Sequence, residues 1–150
     1  MHVSAKVDYA LRALLVLALS GGSHTSEDLA REQNLPPRFL GAILTDLRRA
    51  SLVASTRGAE GGFRLARPPE EVTLAMVFRA IDGPLAEVRG LRPEDIHYQG
   101  PAEYLQDVWV ALRASLRGIL ENVTLADVVS SKLPRRVLKL TADPDAWASH

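Results

Sequence analysis

The sequence has no cysteine, and this absence excludes three kinds of chemistry at once. A chain without thiols has no disulfides, no cysteinyl zinc site and no cysteine-held iron–sulfur cluster. No apolar run approaches the ~18 residues of a membrane span, and Lys6, Asp8 and Arg12 interrupt the first apolar stretch before a signal-peptide core can form. We therefore expect a cytoplasmic protein without a membrane partner, folded as one domain or one domain with an arm.

Net charge is also lacking, because 18 Lys and Arg balance 18 Asp and Glu. The two parts of the chain nevertheless differ. Residues 1–67 carry nine basic and six acidic side chains, whereas residues 68–150 carry nine basic and twelve acidic ones. A local field attracts a polyanion even when the total charge is zero, so we expect any nucleic-acid contact in residues 1–67.

Histidine is scarce and dispersed. The four histidines lie near the two termini, in a turn and in a loop, at His2, His24, His97 and His150. Nucleophilic or acid–base catalysis requires a nucleophile or a paired carboxylate at a suitable spacing from the histidine. None of the four histidines has such a partner at an identifiable spacing. The sequence therefore predicts a protein that is not an enzyme.

Residues 35–67 contain the most informative pattern. Proline is tolerated in the first turn of a helix, so Pro36 and Pro37 predict that a helix starts near Pro37. Its apolar stripe consists of Leu40, Ile43, Leu44 and Leu47. At about 100° per residue, the opposite face is small and basic, with Arg38, Gly41, Ala42, Thr45 and Arg49. Such a face suits close approach to a DNA major groove.

A two-stranded hairpin follows this helix. Residues 52–56 and 62–65 mix apolar and polar side chains as short strands do, and the tip between them runs from Arg57 to Gly62. Three glycines in five residues, Gly58, Gly61 and Gly62, indicate positive φ angles or close backbone approach. The alternative is a plain surface hairpin beside a solvated helix. Adjacent in the chain, the two elements favour nucleic-acid binding, with Arg57 and Gly58 in a minor groove.

Two further helices precede this unit. Residues 4–19 form the first, and Lys6 lies on it where a phosphate is within reach if the helix runs beside the duplex. Thr25 and Ser26 begin the second, with hydroxyls first and acids in the first turn. In a helix-turn-helix pair, the amides at this helix start face a phosphate while the next helix enters the groove.

The second half of the chain contains one long packed helix of about twenty residues. After a helix from Thr73 to about Ile81, residues 85–101 lose periodicity and read as a loop. Spacings of four, three, four and three then mark a heptad seam at Leu105, Trp109, Leu112, Leu116 and Ile119. We interpret the seam as a dimer interface, with an intramolecular core as the alternative. Residues 124–129 form a short capped helix. The tail from residue 132 is either mobile or packs across the dimer as a strand over residues 137–141.

The chain resembles the IscR/NsrR/CymR-type (Rrf-type) winged-helix regulators of bacteria over roughly residues 1–129. The most specific match is the ordered wing pattern of residues 55–65, from Ser55 through Arg57, Gly58 and the paired glycines to Phe63 and Leu65. The resemblance implies a homodimeric DNA-binding regulator that dimerises through the long helix. It supports a DNA contact for Lys6 and implies, in many members, an iron–sulfur cluster held by three loop cysteines.

The chain departs from that pattern in its loop. His97 and Glu103 stand at two of the cysteine positions, and Gln106 stands where a histidine can be the fourth ligand. Two nitrogen and oxygen donors are weak candidates for a mononuclear metal. We therefore predict no iron–sulfur cluster and assign no cofactor. Gly41, where relatives often have a polar base-reading residue, and Ser51, where glycine commonly ends the helix, also differ.

The expected fold is mostly α with a small β-wing. It comprises a winged helix-turn-helix domain (residues 1–83), an effector-type loop (84–101), a dimerisation helix with a short capping helix (102–131) and a tail (132–150). Its predicted partners are double-stranded DNA and a second copy. The predicted DNA contacts are Arg38, Thr45, Arg49, Arg57, Gly58, Lys6, Thr25, Ser26 and Pro37. Arg38 is assigned to a base edge, and Thr45 and Arg49 to phosphates.

The predicted function is sequence-specific transcriptional regulation, as a repressor on an inverted-repeat operator. Two alternatives remain open. One is a winged-helix adapter that binds protein, which the zero net charge favours. The other is a regulator that senses a small molecule or a mononuclear metal through residues 85–101.

Overall fold

The computed structural model describes residues 1–59 and 61–149, so Glu60 of the wing tip and His150 lie outside the described residues. The described residues are mostly helical and include a two-stranded sheet, as the sequence predicts. Its elements in order are α1 (Ala5–Ser20), α2 (Ser26–Gln33), α3 (Pro37–Arg49), β1 (Val53–Thr56), β2 (Gly62–Leu65), α4 (Leu74–Ile81), α5 (Leu105–Leu120), α6 (Leu125–Val129) and α7 (Arg135–Thr141).

The ends of the first helices follow local chemistry. The Ser4 hydroxyl caps α1, and Gly21 ends it in the left-handed conformation at φ 67°. Asn34 (φ 51°) forms the tight turn between α2 and α3. After α3, Ser51 takes a positive φ of 57°, a conformation in which a side chain is less favourable than glycine.

The core lies around α1, which packs against α3, α4 and α6. The predicted stripe of α3 is fully buried there, as Leu40, Ile43, Leu44 and Leu47 are each 1% exposed or less. Leu125 of α6 belongs to the same apolar cluster. Backbone hydrogen bonds from Leu74 to Val123 and from Leu125 to Val72 fasten the start of α6 beside α4. The short capped helix therefore packs on the helices of the first half of the chain.

The second half differs from expectation in two places. The long helix α5 has 16 residues rather than about twenty, and the chain turns at Glu121 into α6. The tail contains the helix α7, so the strand considered for residues 137–141 is wrong. The helix α7 contacts α5 through Arg136, whose guanidinium occupies the space that a side chain on Gly118 of α5 would fill. Within residues 1–59 and 61–149, no helix is long and apolar enough to cross a membrane.

Candidate nucleic-acid interface

The outward face of α3 is open and carries basic side chains. Pro36 precedes the helix without a side-chain cap, and Pro37 occupies the first turn as predicted. The two prolines have no N–H group, and the Phe39 amide donates to the Pro36 carbonyl at 3.1 Å, so this helix start offers few free amides to a phosphate. Arg38 is exposed near this end, and the neighbouring Phe39 leaves 54% of its surface in solvent. An exposed aromatic ring beside an arginine suits contact with a thymine methyl group.

Gly41 lies in the middle of this face. A side-chain carbon built on Gly41 would have no heavy atom within 4 Å, so nothing inside the protein requires glycine there. Glycine in a helix interior costs about 1 kcal/mol relative to alanine. Close approach of a partner to the helix backbone would explain glycine at this position, whereas packing within the protein does not.

Two predicted contacts of α3 are partly engaged within the helix. The Thr45 hydroxyl donates a hydrogen bond to the Gly41 carbonyl at 3.0 Å, so it has to rotate before it can donate to a phosphate. Arg49 lies 3.5 Å from the Asp46 carboxylate, and 76% of its side chain is exposed. A pair this exposed is weak, which leaves Arg49 available for a stronger anion.

Each glycine of the wing has its own structural reason. Gly58 adopts φ 109°, which is unfavourable for any residue with a side chain. A side-chain carbon on Gly61 would lie 2.7 Å from the Thr56 carbonyl oxygen, and one on Gly62 would lie 2.6 Å from that of His24. The tip therefore turns as the sequence predicts. Arg57 is exposed at its start and has no hydrogen bond or ion pair with residues 1–59 or 61–149.

The wing is fixed to the helix-turn-helix by a backbone bridge. The amide of His24 donates to the Phe63 carbonyl at 2.9 Å, and the amide of Phe63 donates back at 2.7 Å. The His24 ring also lies 3.4 Å from the Glu32 carboxylate of α2. The bridge joins β2 to the segment before α2 and so holds the wing beside the helix-turn-helix.

The start of α2 already has internal partners. Thr25 and Asp28 form a capping box, in which the Thr25 hydroxyl donates to the carboxylate at 2.8 Å and accepts from the Asp28 amide. The hydrogen bond from Thr25, followed by that from Arg31, lowers the pKa of Asp28. A phosphate near Thr25 and Ser26 would thus meet a carboxylate. Lys6 is exposed on the first turn of α1 and forms no ion pair with a carboxylate among the described residues.

The loop before α5 is held by polar side chains. Gln106 donates to the carbonyl oxygens of Pro93 and Glu94 at 3.4 and 3.0 Å. The indole N–H of Trp109 donates to the Tyr98 hydroxyl at 3.1 Å. These bonds position the loop on α5.

The donor set of this loop does not fit an iron–sulfur cluster. The chain has no cysteine, and thiolates are the usual cluster ligands. His97 and Glu103 are both exposed, and no three His, Asp or Glu side chains converge as metal ligands in the described part of the chain.

An apolar stripe runs along α5 at the surface. Leu105, Val108 and Leu112 leave 40%, 53% and 46% of their surfaces exposed. Of the other predicted seam residues, Leu116 and Ile119 are half-buried, and Trp109 is half-buried against Tyr98. Sequence reasoning missed Val108 because it lies outside the strict heptad, and missed Phe39 because it adjoins the apolar stripe of α3.

Comparisons with known sequences agree with this geometry. The model of the Rrf2 family, described as iron-dependent transcriptional regulators, matches residues 3–131. A protein of Mycobacterium tuberculosis named as a candidate HTH-type transcriptional regulator is 52% identical over 151 residues, covering 99% of this chain and 94% of its own.

Solved structures give the same result. The structure of CymR, the global cysteine regulator of B. subtilis, superimposes with a TM-score of 0.74 at 28% identity, covering 87% of this chain and 98% of that one. The IscR of T. potens gives a TM-score of 0.67 at 27% identity, covering all of this chain and 93% of that one. These similarities extend through α5, beyond the winged helix itself.

Proposed function

The chain belongs to the Rrf2 family of transcriptional regulators, and we propose from this membership that it is a homodimeric repressor of an inverted-repeat operator. The family consists of regulators, which confirms the prediction that the protein is not an enzyme. The winged-helix fold is likewise confirmed by the solved relatives. The proposal concerns the oligomer, the operator and the sign of regulation.

The observation that carries the proposal is the open α3 face beside the fixed wing. Gly41 leaves the helix backbone approachable, and Arg38 and Arg57 have no partners among the described residues. Arginine forks bind guanine edges in the major groove and narrow A·T-rich minor grooves. We assign Arg38 to a base edge, Arg57 and Gly58 to the flanking minor groove, and Arg49, Thr45 and Lys6 to phosphates.

A dimer supplies the specificity that one winged helix lacks. A single recognition helix reads only a few base pairs, whereas two helices about 34 Å apart read two half-sites of a repeat. The exposed stripe of Leu105, Val108 and Leu112 is a surface that a second α5 would cover. A symmetric pairing of this kind matches the symmetry of an inverted repeat.

Repression is the simplest mode of action for such a dimer. Occupancy of a promoter in the cytoplasm is sufficient to block it, and no further contact with the transcription machinery is needed. The chain offers no thiol ligand for a cluster, so we propose that any control acts through another ligand or through protein level.

Selection from a random duplex library tests the proposal. The purified protein is incubated with the library at ~0.15 M salt, and bound duplexes are sequenced after several rounds. We expect enrichment of an inverted repeat whose half-sites lie about one helical turn apart. Enrichment of no sequence would refute the proposal and favour the protein-binding adapter.

A further inference from the structure

A cavity of about 440 Å³ lies between the end of α4, the loop that follows it and α5. Its lining is unusual in charge, because four arginines surround one carboxylate. The apolar part of the wall is a short run of the loop at Pro84, Leu85 and Ala86. The charged lining residues are Arg79, Arg92, Arg113, Arg117 and Glu94.

The internal ion pairs leave positive charge unbalanced. Arg79 and Arg117 share a single oxygen of Glu121, with the Arg117 Nε at 3.0 Å, and Arg113 pairs with Glu94. Arg92 interacts only electrostatically with Glu94. Two carboxylates thus face four guanidinium groups, a surplus of two positive charges. The acids Asp82 and Glu87 line a neighbouring groove instead.

The arginines also retain unused hydrogen-bond donors. A guanidinium has five N–H groups, and Arg79 and Arg117 meet at one oxygen atom. The side chain of Arg113 is only 22% exposed, so it is held in place by its surroundings. Hydrogen bonds from Arg79 and then Arg117 lower the pKa of Glu121, as expected where cationic donors converge.

We propose that this cavity binds a small dianion, namely a short dicarboxylate or a phosphorylated metabolite. Two negative charges match the surplus, and planar guanidinium forks bind carboxylate and phosphate oxygens in pairs. The volume lies at the lower end of ligand pockets, which fits a metabolite with a short carbon chain against Pro84 and Leu85.

A bound dianion would join two parts of the molecule. Arg79 belongs to α4, which packs on α1 in the DNA-binding core, whereas Arg113 and Arg117 belong to α5 with its exposed apolar stripe. An anion that bridges these residues would fix the angle between α4 and α5. The inference thus adds a ligand to the proposed regulator, but its test needs no DNA, so failure of anion binding and failure of operator binding are separate results.

Calorimetric titration of the full chain at constant ionic strength provides the test. Succinate represents dicarboxylates, inorganic phosphate and pyrophosphate represent phosphoryl groups, and acetate is the monoanionic control. We expect at least one of the first three to bind one per chain, about tenfold or more tightly than acetate, since one charged hydrogen bond corresponds to about that factor. No saturable binding of any of them by ~10 mM, equivalent to less than about 3 kcal/mol, would overturn the proposal.

Three variants locate the site by opposite effects. Arg92→Gln should weaken binding about tenfold, whereas Glu94→Gln removes an internal competitor and should tighten it several-fold. Arg135→Gln, which removes an exposed arginine of α7 outside the cavity, should leave it unchanged. Equal effects of Arg92→Gln and Arg135→Gln, or weaker binding by Glu94→Gln in a protein that melts normally, would contradict the assignment. Loss of duplex binding by Arg92→Gln with unchanged anion binding would do the same and make the arginines a DNA contact.

Discussion

The position of Arg57 depends on the glycines that follow it. Gly58 permits the turn at the wing tip by its φ of 109°, and the His24–Phe63 bridge holds the wing beside α2. We expect Arg57→Ala to weaken operator binding about tenfold to a hundredfold, because an arginine in a narrow minor groove makes a specific contact. Fluorescence anisotropy with a labelled duplex measures the change.

The matched control is Arg135→Ala, which removes the same charge from the exposed face of α7. A general electrostatic effect would lower both affinities equally, and the minor-groove assignment for Arg57 would then be wrong. The assignment also fails if Arg57→Ala weakens binding by less than about tenfold.

Arg38 should affect base preference rather than overall affinity. It is exposed near the start of α3, whereas Arg49 at the end is assigned to a phosphate. We expect Arg38→Ala to relax the preference at one base pair by about 1 to 3 kcal/mol, and Arg49→Ala to weaken binding to all sequences alike. Affinities for a panel of single-base operator variants distinguish the two. A uniform loss for Arg38→Ala would place it on the backbone.

At this scale, the sequence predicted what local chemistry determines. Gly58, Gly61 and Gly62 were expected to need a special backbone, and each has a conformational or steric reason. The engagement of Thr25 in a capping box with Asp28 also follows from residue spacing. The exposure of Phe39 is consistent with the periodicity that places Leu40 on the buried stripe, but its aromatic side chain has the composition of a core residue, so no sequence pattern assigned it a contact.

Among the elements, α5 offers the clearest test. Its stripe of Leu105, Val108 and Leu112 is exposed in one chain, so we expect a partner to bury it. Leu112→Asp would place a charge in that interface and should convert a dimer into a monomer. Ala114→Asp, about 160° away around the helix, is the matched control and should remain dimeric. Light scattering at micromolar concentration measures the mass. A monomeric wild type, or an unchanged mass for Leu112→Asp, would refute the interface.

The helices and strands of the first half were predicted almost to the residue, because caps, prolines and apolar periodicity agree there. The helices α2 and α4 begin after the expected hydroxyl caps at Thr25 and Thr73. The tail was less predictable. Residues 138–141 of α7 alternate in polarity and also suit a strand, and the packing of Arg136 over Gly118 is a tertiary contact with no local signal.

For the molecule as a whole, the missing cysteines separate the chain from the cluster-binding pattern that its resemblance implies. Gln106 and Trp109 hold the loop by hydrogen bonds, so its position does not require a metal. We expect protein expressed with added iron and purified without oxygen to contain far less than one iron and one acid-labile sulfide per chain. Elemental analysis and the visible spectrum measure both. Stoichiometric sulfide with broad visible absorption would contradict the prediction and point to a site around His97.

Sequence-specific regulation by this molecule requires that the α3 face and the wing together read a DNA sequence. A direct test compares the dissociation constants for the selected repeat and for a scrambled duplex of the same composition at ~0.15 M salt. We expect a ratio of about a thousandfold or more, as for specific DNA-binding proteins. Equal affinities within about tenfold would contradict it, because a phosphate contact without base reading gives no preference between the two duplexes.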